Sequence, residues 1–212
     1  MNIKHLLAAA AFVASASAQA ATYTPTGPQL NVALSTVTSG GWTLCYSATM
    51  GTPIGNSAST AFGGCAGDRI MLAGRATGSD TLLVLAQTLK ADAFFDTGAA
   101  NNGVTHIADG TAWYNANNWS WGFAPVGESV SKFQCDTAGG NGRMCLHTIA
   151  GVGGYRIKTV LGLNGSSDYE KLVFSAFDAA VPEPASWALM ITGFGLAGTA
   201  LRRRPTAKLA FA

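Results

Sequence analysis

Charged side chains are scarce in this sequence: Asp, Glu, Lys and Arg make up 11% of 212 residues, and there are three histidines. The formal net charge is +2. Lys4 contributes +1 of it, and residues 181–212 contribute +3 through Arg202, Arg203, Arg204 and Lys208 against Glu183, which leaves −2 for the part between. A weakly acidic body with scattered basic residues has no electrostatic footprint for nucleic acid. G-x-S-x-G, a phosphate-binding loop, a C-x-x-C pair and the D-x-[DN]-x-[DN]-G calcium loop are all missing. These absences argue against a nucleophile-elbow hydrolase, a nucleotide site, a zinc site and an EF-hand. His106 and His147 have no partner at nucleophile or metal spacing, so no metal and no cofactor is expected.

What is there begins with a targeting pattern. Lys4 gives a basic start, Leu6–Val13 an apolar run of eight residues, and Ala18-Gln19-Ala20 a small-x-small site. Such a run is too short to span a bilayer and reads as a signal peptide over 1–20, cut after Ala20 by signal peptidase. All four cysteines, Cys45, Cys65, Cys135 and Cys145, follow that cut. An exported chain with an even cysteine count points to disulfides. Of the three connectivities, the sequence-local one, Cys45–Cys65 with Cys135–Cys145, is preferred.

At the other end the composition changes at Val181. Val181-Pro182-Glu183-Pro184 cannot sit inside a helix or central strand, because two prolines lie so close together. Ala185–Leu201 (ASWALMITGFGLAGTAL) follows without a charge, and Arg202-Arg203-Arg204 closes it. A helix of that length spans about 25 Å, and the arginines place its end in the cytoplasm. This order resembles the PEP-CTERM family signal: V-P-E-P, a Gly-rich apolar helix, then an arginine cluster. The resemblance implies a membrane-anchored precursor on the outer side of the inner membrane of a Gram-negative bacterium. It also implies exosortase as the partner that removes the helix and releases the protein to the surface or matrix, often beside exopolysaccharide. Pro205–Ala212 runs past the arginines, longer than that pattern usually allows. The division expected is signal peptide 1–20, linker or first edge 21–40, β domain 41–178, linker 179–184, membrane helix and arginines 185–204, and a cytoplasmic end 205–212.

Between the ends, Gly, Asn, Ser and Thr punctuate short β-prone runs. Gly41–Ser47 alternates, with Trp42, Leu44 and Tyr46 on one face. Thr81–Leu89 (TLLVLAQTL) is apolar on both faces and reads as a central strand. Arg69–Ala76, Trp113–Asn115, Trp119–Phe123, Ser129–Cys135, Met144–Ile149, Tyr155–Val160 and Tyr169–Phe177 complete the set. Short strands at this spacing predict an all-β, disulfide-bonded sandwich or jelly roll without internal repeats.

Two segments invite a chemical reading. Phe94-Phe95-Asp96-Thr97-Gly98-Ala99 resembles the active-site loop of aspartic proteases, which need a second aspartate. Cys135-Asp136-Thr137-Ala138 breaks that pattern, so Asp96 reads as a turn residue. Trp113–Phe123 is the densest aromatic stretch. Trp119, Trp121 and Phe123 share one face of a strand and are expected in the core. Trp113, Tyr114 and Asn117 are the expected ligand contacts, since rings stack on sugar faces while amides bond hydroxyls. A non-enzymatic surface or matrix protein is therefore expected, with a carbohydrate-binding module as the alternative and an aspartic hydrolase behind it.

Overall fold

The computed structural model describes residues 20–99, 101–136, 138–178, 191, 192 and 194. The signal peptide and most of the membrane segment expected at 185–204 lie outside the described residues. Among those described, no helix is long and apolar enough to cross a membrane.

In chain order come β1 (Gln29–Ala33), α1 (Leu34–Ser39), β2 (Thr43–Thr49), α2 (Ala58–Phe62), β3 (Arg69–Ala76), β4 (Thr81–Leu89) and α3 (Lys90–Ala93). Then follow β5 (His106–Ala108), β6 (Thr111–Ala116), β7 (Ser120–Pro125), β8 (Met144–His147), β9 (Gly154–Ile157), a 3-10 turn (Leu163–Gly165) and β10 (Tyr169–Ala176). The strands form two antiparallel five-stranded sheets, ordered β1-β4-β3-β10-β2 and β5-β6-β7-β8-β9. The second is a plain meander of consecutive strands, which is not the interleaved order of a jelly roll.

One apolar cluster joins the sheets. Ile70 and Leu72 of β3 and Val173 of β10 meet Trp113, Trp121, Phe123, Met144, Leu146 and Ile157 of the second sheet. Gly74 continues the inner face of β3; a Cβ there would come within 2.7 Å of the Ile157 side chain, so its bareness sets how closely β3 and β9 approach. The outer face of the first sheet is also covered. Met71, Ala73, Leu172 and Phe174 pack under Val37 of α1 and Trp42, with Ala21 and Tyr23 alongside.

Alternation fails in β2. Tyr46 pairs with Val173 but Leu44 pairs with Phe174, so Cys45 is an extra residue on this edge strand. A bulge inverts the phase of a strand. Trp42 therefore lies in the outer cluster, whereas Tyr46 packs on the inner one against Phe62, 5.1 Å between ring centroids. Leu44 is left exposed. The expectation that Trp42, Leu44 and Tyr46 share a face is corrected by that one residue.

Ser129–Cys135, expected as a strand, is a turn-rich loop. β1 lies within the segment read as linker or first edge, and β5 within a stretch given no strand. The cysteines pair as Cys45–Cys65 and Cys135–Cys145, with Cα–Cα distances of 5.7 and 5.5 Å.

Candidate functional site

The aromatic hairpin sits differently from its sequence expectation. β6 and β7 pair with Trp113 opposite Phe123 and Asn115 opposite Trp121. Directly opposed residues of an antiparallel pair point to the same face. Once Trp121 and Phe123 enter the core, Trp113 must follow. All three are buried, with Trp113 stacked on Trp121 at 6.3 Å and tilted against Phe123 at 5.4 Å. Tyr114 faces the other way and is also buried, its hydroxyl donating to the Met144 carbonyl at 3.3 Å. Burial holds its phenol well above the usual range. Neither Trp113 nor Tyr114 offers a ring to a ligand, which corrects their assignment as contacts. Asn117 is exposed in the connecting turn.

Trp119, expected in the core, precedes β7 and leaves that face. Asn118 before it takes a left-handed φ of 65°, and the ring stands half-buried against Phe133 at 5.0 Å. Phe133 is 55% exposed and lines an open groove of about 510 Å³ together with Asn101, Asn102, Gly103, Val130 and Ser131.

Lys132 ties the two walls of that groove. Its ammonium is buried and donates to the Thr97 carbonyl at 2.8 Å, the Val104 carbonyl at 3.3 Å and the Asn102 side-chain oxygen. Asn102 in turn donates its amide to the Thr97 carbonyl at 3.0 Å. Burial lowers the Lys132 pKa, while the Asp96 carboxylate works the other way. The oxygens of Thr97, Asn102 and Val104 thus surround a side-chain ammonium. Among the described residues, no group of three or more His, Cys, Asp or Glu is placed to hold a metal.

The loop carrying Phe133 is fixed from behind. Asp136, fully buried, accepts from Arg143 at 2.5 Å and lies 3.7 Å from Arg156. Arg143 also donates to Glu128 at 2.8 Å and to the Ser129 carbonyl at 2.9 Å, and Arg156 to the carbonyls of Asp136 and Gly140 at 2.6 and 2.7 Å. The Cys135–Cys145 bond fastens this loop to β8. Residue types alone did not show this network, because its members are far apart in sequence and only the fold gathers them.

The aspartates of the protease-like pattern are engaged separately. Asp96 accepts from the Gly98 backbone N–H at 2.8 Å, an Asx turn, and Asp136 belongs to the arginine network. His106 has a partner the sequence did not suggest: its Nε2 is 2.8 Å from Asp92, and Phe95 stacks on its ring at 4.4 Å. His147 is bonded to the Trp119 carbonyl at 3.3 Å, and burial lowers its pKa.

The two ends of the described body lie together. Ala20 and Phe177 form a parallel bridge, and Ala21 N–H donates to the Phe177 carbonyl at 3.1 Å. Asp178 is anchored by Arg69 at 3.1 Å and through its own N–H to Asp68 at 2.6 Å. The sorting residues Val181, Pro182, Glu183, Pro184, Arg202, Arg203 and Arg204 lie outside the described residues.

The family model of the PEP-CTERM protein-sorting motif matches residues 180–204. No curated protein and no solved structure matches the chain. The chain therefore carries that sorting motif, which starts two positions past Asp178 and implies export and handling by exosortase.

Proposed function

We propose that this chain is a non-catalytic surface or matrix protein of a Gram-negative bacterium. Signal peptidase removes residues 1–20, the tail holds the folded domain at the inner membrane, and exosortase releases it to a structural or adhesive role among exopolysaccharide. The observation that carries this reading is the sorting motif placed directly after a disulfide-closed β domain. Disulfides suit a compartment outside the cytoplasm.

Fractionation of the native host tests it. The protein is expected in the extracellular matrix of wild-type cells and in the membrane fraction of an exosortase deletion, and deleting the protein should weaken biofilm cohesion. Residence in membranes in both strains, or cohesion unchanged by the deletion, would contradict the reading.

A further inference from the structure

We infer that the groove between residues 101–103 and 130–134 binds a neutral polysaccharide, with Phe133 as its stacking surface. The inference rests on the adhesive reading above and names the site through which it acts.

Four observations carry it. Phe133 is a large apolar ring more than half exposed on a loop, and the Trp119 ring, tilted against it at 5.0 Å, supports it from outside the groove. A ring beside uncharged polar groups has the two things a sugar needs, an apolar face to stack on and amides or hydroxyls to bond its hydroxyls. The lining contains amides, a hydroxyl and glycine but no charged side chain, since the nearby Lys132 ammonium is buried and held by its oxygen partners. An uncharged trough selects against anionic ligands and suits hydroxyl-rich ones. The walls are cross-linked: Lys132 joins them underneath, and Cys135–Cys145 with the Asp136–Arg143 pair braces the Phe133 loop. A preformed site avoids the entropic cost of ordering loops on binding. Its open form admits an extended chain passing through, whereas a small molecule needs enclosure.

The test is affinity electrophoresis of the full-length chain in mild detergent, through native gels cast with a soluble glucan, a galactomannan, a mannan or alginate. Retention by at least one neutral gel and none by alginate is expected. Phe133→Ala should weaken that retention about tenfold, the behaviour of a central aromatic anchor. Phe133→Leu keeps an apolar contact for Trp119 but lacks the ring face, and it should lose retention at an unchanged melting temperature. Ile107→Ala, which alters an exposed apolar residue on β5, should keep it. Absence of retention by all neutral gels, retention by alginate alone, or retention that survives both Phe133 substitutions would overturn the inference. Failure here, with the protein still found in the host matrix, defeats the groove and leaves the adhesive reading standing. Absence from the matrix defeats that reading first.

Discussion

Three tryptophans within nine positions have two different surroundings, and the difference is measurable. Trp113 and Trp121 fill the core between the sheets, and Trp121 Nε1 donates to the Ala93 carbonyl at 2.9 Å. Replacing either by Ala should lower stability by about 3–5 kcal/mol in denaturant titration, the cost of an aromatic cavity. Trp119→Ala, on the half-buried ring, should lower it by about 1 kcal/mol. Lys171 gives a prediction of another kind. It lies on the inner side of β10, buried, with its ammonium donating to the carbonyls of Thr49 at 2.6 Å, Met50 at 3.2 Å and Thr52. Burial without a carboxylate partner pushes its pKa down to about 8 from an ordinary 10.5. Between those values the unfolded chain holds the proton more tightly than the folded one, so stability rises with pH across that window. The gain is at most about 3 kcal/mol. Melting curves of the native protein should show it between pH 8 and 10, and those of Lys171→Met should not. A stability that falls across that range in the native protein alone would count against the buried ammonium.

Elements were legible where a single rule governs them. Arg69–Ala76 and Thr81–Leu89 coincide with β3 and β4, because each is an uninterrupted β-prone run and the second is flanked by strands on both sides. The hairpin of β6 and β7 was half legible. Its strands were visible, but its faces were assigned without its register; pairing Trp113 with Phe123 settles that Trp113 is core. The β2 bulge had no local signal, since Cys45 alternates like its neighbours and only pairing with β10 reveals the extra residue. The loop over the second sheet was least legible. Ser129–Cys135 is expected as a strand, yet Cys135 and Asp136 take left-handed φ values of 51° and 57° to bring the carboxylate under Arg143. That loop should depend on its cross-link. Replacing Cys135 and Cys145 together with Ser should cost about 2–4 kcal/mol. It should also raise amide exchange in β8 and over Tyr114 while sparing β3 and β4. Uniform exchange across both sheets would show that the bond does not act locally.

At the scale of the whole molecule, the sandwich brings Ala20 and Phe177 together. A cut after Ala20 leaves the Ala21 nitrogen a donor, so its bond to the Phe177 carbonyl is retained. Arg69 and Asp68 pin Asp178 beside it, just before the matched sorting motif. The described body thus ends at Asp178, two positions before the matched sorting motif. Intact-mass analysis of the protein purified from its own host tests this account most directly. The mature chain should begin at Ala21, lack Ala185–Ala212, and gain no mass on alkylation without reductant, because all four cysteines are paired. A full-length C-terminus on membrane-bound protein, unchanged when exosortase is deleted, would contradict it.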